Sequence, residues 1–251
     1  MYCVKLANIS LNLCLDLHVN IQAIIFDLDN TLTHRDLSVQ AYSRHLTAHY
    51  NAHLIQADIA KVTEIVRRID NGGYPQKELL THGSIGASAA YALLQELSWL
   101  SPPSIDELAQ FWFSQFGRFA VEMPQAKQVL EQLKARGYRL AIISNGGHDT
   151  RLNIIKGLGF GHYFDEIISS SLVGISKPHP EIFLHTAERL TVLPEQCLYI
   201  GDHPINDIQG AKNAGMHALW MQGFHPDAEE IQYKIQQLPE IFTHLQRLNQ
   251  L

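Results

Sequence analysis

Cysteine and long apolar runs are scarce in this 251-residue chain, and each shortage removes a class of protein. The three cysteines, Cys3, Cys14 and Cys197, form no C-x-x-C pair. This excludes a disulfide framework and a zinc ribbon and favours a reducing compartment, so we expect a cytoplasmic protein. No apolar run approaches the roughly 18 residues that a membrane span requires, so we expect no membrane association.

Basic residues are also few, since 19 Lys and Arg stand against 25 Asp and Glu and give a formal net charge of -6. Binding along a nucleic-acid backbone needs clustered Lys and Arg, so we expect no nucleic-acid polymer as a partner. Hydrophobic residues make up 46% of the chain, which is enough for a substantial core. The composition is that of a globular protein and leaves a monomer and a homodimer equally open.

The N-terminal residues 1–20 show a strand-like alternation. Apolar residues occupy every second position from Ile9 to Ile21. A period of two is that of an extended strand with one apolar face. We expect an N-terminal extension over 1–20 that forms an edge strand or a partner-binding segment. The alternative is a mis-assigned start without a role, and the pattern favours neither.

From residue 21 onward, short apolar runs alternate with helical patterns. This alternation is typical of a parallel sheet with helices on both faces. Polar residues stand at the ends of three predicted strands, namely Asp27, Ser144 and Asp202. Sheets of this kind bind ligands at the carboxyl ends of their strands, so these three residues are the first candidates for a functional site.

The spacing between the first two of these residues is too long for one strand–helix–strand unit. Asp27 and Ser144 are 117 residues apart (144 − 27), whereas such a unit needs about 30. The surplus carries four helical patterns. We therefore predict an all-helical cap domain over 34–118, inserted into an α/β core over 21–33 and 119–251. The expected fold class is a doubly wound, Rossmann-like parallel sheet.

Short motifs follow one another at these strand ends in a fixed order. They are D-x-D-x-T at 27–31, S-N at 144–145, K-P at 177–178, and G-D at 201–202 followed by Asp207. This ordered set resembles the haloacid dehalogenase (HAD) superfamily, in its phosphatase branch with a C1-type helical cap between the first two motifs, as in subfamily IA. The resemblance covers about residues 21–240 and is most specific over 165–183 and 199–215.

The acidic residues of these motifs impose a chemical requirement of their own. Asp27, Asp29, Asp202 and Asp207 cannot converge on one site unless a cation is present, because four carboxylates repel each other. A set of oxygen ligands without His or Cys selects a hard ion, and Mg²⁺ more readily than Zn²⁺. We therefore expect Mg²⁺ as the cofactor.

A second group of residues is suited to holding phosphate. The hydroxyl of Ser144 and the amides of Asn145 and Gly146 lie at the start of a predicted helix, where an anion is stabilised. Lys177 adds a compact positive charge just before another helix. With Asn30 of the first motif, these residues form the predicted phosphate-binding set.

The resemblance implies individual roles. Asp27 would be the nucleophile that forms an aspartyl-phosphate, and Asp29 would protonate the leaving alcohol and then deprotonate water. Mg²⁺ would bind the side chains of Asp27 and Asp202 and the main-chain carbonyl of Asp29, while Asp207 would orient Lys177 or a metal-bound water. Lys177 is counted as catalytic as well as phosphate-binding. Dehalogenases on the same scaffold lack an acid at the second position, so Asp29 favours phosphoester hydrolysis.

The cap is expected to supply substrate contacts, by the same resemblance. The turn at 71–77 is the candidate, with Lys77 reaching the substrate, and a plain helix–helix turn is the alternative. His45, His49 and His53 share one helical face, and the pattern favours a solvated face of the cap over a metal site or a substrate-facing stripe. Three further histidines follow the motifs closely and are expected to pack or lie exposed rather than to act in chemistry: His148, His179 and His203.

These observations predict a Mg²⁺-dependent phosphatase for a small phosphorylated metabolite, such as a nucleotide monophosphate or a sugar phosphate. One alternative is a phosphomutase, which uses the same aspartyl-phosphate but returns the phosphoryl group to a sugar. Another is a catalytically silent protein that keeps the fold for binding or regulation. The motifs recognise only phosphate, so the choice of substrate rests with the cap.

Overall fold

The computed structural model describes residues 20–249, which form one six-stranded sheet surrounded by helices. The strands are β1 (Ala23–Phe26), β2 (Arg139–Ser144), β3 (Glu166–Ser169), β4 (Cys197–Gly201), β5 (His217–Met221) and β6 (Lys234–Ile235). All neighbours pair in parallel, in the order β3-β2-β1-β4-β5-β6. The extension predicted over 1–20 lies, except for its last residue, outside the described residues.

Both faces of the sheet are buried. Successive side chains of a strand point to opposite faces, so Ile24 and Phe26 of β1 join one hydrophobic cluster and Ala23 and Ile25 join another. A strand covered on both faces is a continuous apolar run rather than an alternating pattern. The structure confirms the predicted fold class, an α/β parallel sheet accompanied by helices.

Helices account for most of the remaining chain, and none of those described is both long and apolar enough to cross a bilayer. Between β1 and β2 lie α1 (Arg35–His49), α2 (Ile59–Asp70), α3 (Ile85–Glu96), α4 (Ile105–Gln115) and α5 (Ala126–Ala135). After β2 come α6 (His148–Leu158), α7 (Ser170–Val173), α8 (Pro180–Leu190), α9 (Gly210–Asn213) and α10 (Glu240–Leu248). We propose that α1 to α4 form the cap, and its boundaries at 34 and 118 stay a prediction.

The end of α2 determines where the helical region approaches the sheet. Asn71 (φ 45°), Gly72 (φ 69°) and Gly73 (φ 89°) are all left-handed, which turns the chain sharply. Glycine takes this conformation without steric cost. A Cβ at Gly73 would lie 3.3 Å from Oδ2 of Asp29, so the main chain of this turn packs directly against the carboxyl end of β1.

Several elements depart from regular geometry. Helix α5 begins at Ala126, because the preceding Gln125 has a left-handed φ of 65° that a right-handed helix cannot contain. After β4 the chain forms a π-helical turn, Pro204–Gln209, followed by the short α9. Strand β6 is only two residues long. Ile59 is 47% exposed because it is the first residue of α2.

Gly157 of α6 packs against the main chain just after α4. A Cβ at Gly157 would lie 1.8 Å from the main-chain oxygen of Gly117, where no side chain fits. We expect Gly157→Ala to lower the free energy of unfolding by about 1–3 kcal/mol, although alanine favours a helix interior. Urea unfolding at unchanged m-value measures this loss.

Gly161→Ala is the matched control. The nearest atom to its Cβ would be Cγ2 of Ile155 at 3.9 Å, an ordinary van der Waals contact. We expect a change below about 0.5 kcal/mol, as at an unconstrained surface position. A Gly157→Ala protein as stable as the Gly161→Ala protein would show that α6 and the segment after α4 are not in tight contact.

Candidate active site

The strand order brings the predicted polar residues to one crevice. Chain order reverses between β1 and β4, which are neighbours in the sheet, and open α/β sheets bind ligands at such a reversal. Asp27 directly follows β1 and Asp202 directly follows β4. Both carboxyl groups are buried, so the two acids from opposite ends of the sequence face the same small space.

Three acids form a compact cluster there. Carboxylate oxygens of Asp27, Asp202 and Asp207 lie within 4.8 Å of one another, in an arrangement that could hold a metal ion. Oδ2 of Asp27 is buried without a hydrogen-bond partner. Burial raises the pKa of Asp27 well above its usual value, Lys177 partly offsets this, and the neighbouring acids raise it further. An orphaned oxygen in an all-oxygen cluster fits a hard divalent cation, which supplies the missing partner.

Lys177 is the cation that the chain itself provides to this cluster. Its Nζ donates to Oδ1 of Asp27 and to Oδ1 of Asp207, both at 2.6 Å, and to the hydroxyl of Tyr199 at 3.0 Å. Burial alone would lower the pKa of Lys177, but Asp207 and Asp27 outweigh it and raise the pKa above its ordinary value. Lys177 is therefore charged and fixed between the two acids.

The segment after β2 holds Lys177 in place through Asn145. Oδ1 of Asn145 accepts from the Lys177 amide at 2.9 Å, and its Nδ2 donates to the Lys177 carbonyl at 3.0 Å. Ser144 is buried and lines the cavity beside Asp27. The amide of Gly146, expected to be free for phosphate, instead donates to Oγ of Ser170 at 2.9 Å.

Asp29 lies beside the cluster but its carboxylate contacts two arginines. Nη1 of Arg35 donates to Oδ1 at 3.0 Å, and Nη1 of Arg151 donates to Oδ2 at 2.7 Å. Burial alone would raise the pKa of Asp29, but the two guanidinium groups outweigh it and lower the pKa below its usual value. The carboxylate of Asp29 is thus ionised and does not belong to the cluster of three acids. Its main-chain carbonyl is the group that the resemblance assigns to the ion.

Arg35 extends this ion pair into the helical region. It is 3% exposed, and its Nε and Nη2 both donate to the carboxylate of Asp70, the last residue of α2. The Arg35 guanidinium also lies 4.4 Å from the centre of the Phe116 ring. A buried chain of charges, Arg151–Asp29–Arg35–Asp70, therefore connects α6 and the end of β1 with the end of α2.

The turn after α2 makes two further contacts with the acids. The hydroxyl of Tyr74 donates to Oδ1 of Asp202 at 2.8 Å. Nδ2 of Asn30 donates to the carbonyl of Gly72 at 2.9 Å and to Oδ2 of Asp202 at 3.3 Å. Asn30, expected to bind phosphate, is thus engaged with the turn and lines a neighbouring depression rather than the cavity at Asp27.

A cavity of about 300 Å³ opens above Asp27. Five of the residues expected from the sequence line it, together with Gly73, Tyr74 and Pro75 of the turn, Asn206 and Arg151. Lys77 does not belong to this lining, because it lies exposed in the short turn Lys77–Leu79. The five expected lining residues are Asp27, Asp29, Ser144, Asn145 and Lys177.

The histidines singled out in the sequence serve mainly as packing and capping groups. Rings of His45 and His49 lie against Phe111, and within residues 20–249 no cluster with metal-site geometry includes them. Nδ1 of His179 and Nδ1 of His203 each accept main-chain N–H groups at the start of a helical segment. His148 lines a separate surface groove beside β3.

Sequence reasoning missed Arg35 and Arg151, and within the candidate turn at 71–77 it singled out Lys77 and not Tyr74. Arg35 is the first residue of α1, and Arg151 lies one turn into α6, so both stand on the first turns of helices that leave the sheet at motif positions. That placement is a signal, because such turns border a strand-end crevice. Tyr74 gave a weaker signal, as the aromatic residue that follows the N-G-G turn.

Replacing Arg35 tests the buried charge chain. We expect Arg35→Gln to lower the free energy of unfolding by about 3–5 kcal/mol at pH 7, because the buried carboxylate of Asp70 loses its guanidinium partner and that of Asp29 loses one of its two. The pKa of Asp29 is lowered in the folded state, so its contribution is present above the unfolded pKa of about 4 and is lost as pH falls through the folded value. The difference between variant and parent should shrink below pH 4, as urea unfolding at several pH values would show.

The control is Arg67→Gln on α2. Arg67 pairs with Asp36, but the two side chains are 50% and 42% exposed, and an exposed pair contributes about 1 kcal/mol or less. If Arg35→Gln and Arg67→Gln lowered the free energy of unfolding equally, the buried ion pairs would contribute no more than an exposed pair.

Comparison with known proteins agrees with this geometry. A family model described as haloacid dehalogenase-like hydrolase matches residues 21–215. A phosphoserine phosphatase of Thermus thermophilus is 32% identical over 145 residues, which cover 57% of this chain and 58% of that one. A glyceraldehyde 3-phosphate phosphatase of Methanopyrus kandleri is 30% identical over 199 residues, 78% of this chain and 82% of that one. The chain thus spans little more than half the length of the first relative and about four fifths of the second.

Solved structures share the same architecture. A HAD hydrolase of Bacillus subtilis, solved with bound magnesium, matches with a TM-score of 0.69 at 22% identity, over 90% of this chain and 99% of that one. At this identity the likeness shows the fold. The family model, however, matches more than three quarters of the sequence and includes every motif at the strand ends. The protein therefore belongs to the haloacid dehalogenase-like hydrolases.

Proposed function

We propose that this protein is a phosphatase that hydrolyses a small phosphorylated metabolite through an aspartyl-phosphate on Asp27. The observation that carries the proposal is the carboxylate of Asp27: Oδ1 is held by Lys177, Oδ2 is buried without a partner, and the residue lines the same cavity as Asp29. The names of the two curated relatives, phosphatases of phosphoserine and of glyceraldehyde 3-phosphate, support the same class of substrate. The cytoplasm is the proposed compartment.

The first half of the reaction uses Asp27 and Asp29. A carboxylate oxygen of Asp27 forms a bond to phosphorus while the bond from phosphorus to the leaving oxygen breaks, and Asp29 supplies the proton that the alkoxide needs. Lys177 fixes Oδ1 and so orients the attacking carboxylate. A dehalogenase of this family would have no use for an acid at position 29, and that residue therefore favours phosphoester cleavage.

The second half returns Asp27 to its free form. Asp29 takes a proton from water, whose oxygen attacks phosphorus and breaks the bond to Asp27, releasing inorganic phosphate. The pairing of Asp29 with Arg35 and Arg151 keeps it ionised, which is the form a base requires. These ion pairs suit the hydrolytic half, and Asp29 must loosen from a guanidinium to carry a proton in the first half.

We propose that Mg²⁺ binds at the acidic cluster. The side chains of Asp27 and Asp202 and the main-chain carbonyl of Asp29 would hold it, and when bound it would screen the repulsion between these acids and an anionic substrate. Both oxygens of Asp207 already accept hydrogen bonds, Oδ1 from Lys177 and Tyr199 and Oδ2 from the His203 amide. Asp207 therefore serves chiefly to orient Lys177.

Asp27→Asn tests the nucleophile. Asparagine keeps the size of the side chain but cannot form the acyl phosphate, so we expect kcat to fall by at least about a thousandfold with the fold intact by circular dichroism. Asp149→Asn, at an exposed acid in the first turn of α6, is the control and should keep parental turnover. Parental hydrolysis by folded Asp27→Asn would overturn the assignment.

Thermal unfolding tests the metal without any assay of activity. A ligand that binds only the folded protein at 100 times its Kd stabilises it by about 2.7 kcal/mol, so MgCl₂ should raise Tm in a concentration-dependent way. Asp202→Asn should lose this response, and NaCl at equal ionic strength should not reproduce it. A parental Tm that is indifferent to Mg²⁺ would contradict the proposed site.

A further inference from the structure

A second cavity of about 320 Å³ adjoins the one above Asp27. Both cavities are lined by Gly73, Pro75, Asn145 and Arg151, so they meet where the turn after α2 faces the start of α6. A phosphoryl group at Asp27 would therefore have its leaving group beside this second space. At 300 Å³, the first cavity is at the lower limit for a ligand pocket, and the second roughly doubles the room.

The walls of this second cavity are largely apolar. One side is formed by Leu80, Ile85, Trp112 and Phe113 of the helical region. Trp112 lies flush with α3, because a Cβ at Gly86 would come within 2.4 Å of its ring. The side chains of this wall offer no carboxylate or amine to a ligand.

Two guanidinium groups also border the cavity, but their charges are already neutralised. Arg151 donates through Nη1 to Asp29 and through Nε and Nη2 to the carbonyl of Asn145. Arg35 is paired with Asp29 and Asp70. Two positive and two negative groups cancel, so a second anion would have to displace Asp29 or Asp70 from its partner.

The charge balance above Asp27 also disfavours a second anionic group on the substrate. Asp27, Asp202 and Asp207 face Lys177, which leaves two negative charges in excess. A divalent cation just cancels that excess, and the phosphoryl group then adds negative charge of its own. An additional carboxylate on the substrate would find no uncompensated cation among the residues that line either cavity.

We propose that the second cavity binds the leaving group, and that the substrate is a phosphomonoester whose alcohol part is uncharged and largely apolar. This inference rests on the proposed phosphatase function and adds the class of substrate. An enzyme whose substrate carries a carboxylate beside the phosphate would need a guanidinium or ammonium group free of carboxylate partners in this cavity, and the lining described here has none.

Two substrates of equal shape test the charge preference. Isobutyl phosphate and 2-phosphoglycolate carry branched groups of four heavy atoms, but only the second bears a carboxylate. With the Mg²⁺-loaded parent protein we expect kcat/KM to be at least about tenfold higher for isobutyl phosphate. The expected preference would hold against the better leaving group of phosphoglycolate. The opposite preference, or equal values, would overturn the proposal.

A series of alkyl phosphates and two matched variants test the place of binding. In the parent, kcat/KM should rise at least about tenfold from ethyl to hexyl phosphate as methylene groups fill the apolar cavity. Phe113→Ala should remove most of this ratio, and so should Leu80→Gln, which introduces a polar group of similar size. Phe111→Ala, two residues earlier on α4 and packed against Tyr42 and Tyr50 instead, should keep it.

The outcomes separate the two proposals. Hydrolysis of all the alkyl phosphates at one rate, or loss of the hexyl preference in Phe111→Ala as much as in Phe113→Ala, would overturn the leaving-group site and leave the phosphatase standing. Absence of hydrolysis across the whole panel, with the Mg²⁺-dependent rise in Tm intact, would overturn the apolar leaving group as well. Absence of hydrolysis of sugar phosphates and nucleotide monophosphates in addition would overturn the phosphatase itself. If both Phe113→Ala and Leu80→Gln kept the preference for hexyl phosphate, the alkyl group would bind elsewhere, and the leaving-group site would be overturned.

Discussion

Compensation of buried negative charge is the constraint on which this structure depends. The sheet brings Asp27, Asp202 and Asp207 to one crevice, where burial makes each unpaired carboxylate costly. Lys177 cancels one charge by contacting two of the acids at 2.6 Å. The remaining excess defines what the site must take from outside, namely a small divalent cation. The same excess of negative charge also limits the substrate, because every further negative group must be matched by a positive charge of the ion or of the protein.

The parallel sheet and the position of its acids could be predicted from the sequence because both follow from local patterns. Apolar runs such as 23–26 mark strands buried on two faces, and the residue after such a run necessarily lies at the carboxyl end. Parallel pairing then gathers these ends without knowledge of any side-chain contact. The same logic failed for Gly146, because the partner of its amide is Ser170, whose approach depends on the path of the chain after β3.

Long-range contacts are what the sequence could not predict. Arg151 and Asp29 are 122 residues apart, and Tyr74 and Asp202 are 128 apart, and no spacing rule connects either pair. Lys77, the positive residue of this turn, lies exposed and outside the lining of the cavity, while Tyr74 of the same turn reaches Asp202. The backbone of the turn, through Gly73 against Asp29, decides which side chain arrives.

The contacts of the turn after α2 also connect the helical region with the acids at the strand ends. Asp70 holds Arg35, Gly72 accepts from Asn30, and Tyr74 donates to Asp202, all within five residues of one short segment. Movement of this segment would therefore disturb the orientation of Asp29 and Asp202 at the same time. Since Pro75 of the same segment borders both cavities, the segment that contacts the acids also lies where the proposed leaving group would enter. An uncharged leaving group would enter without competing for the ion pairs of this segment.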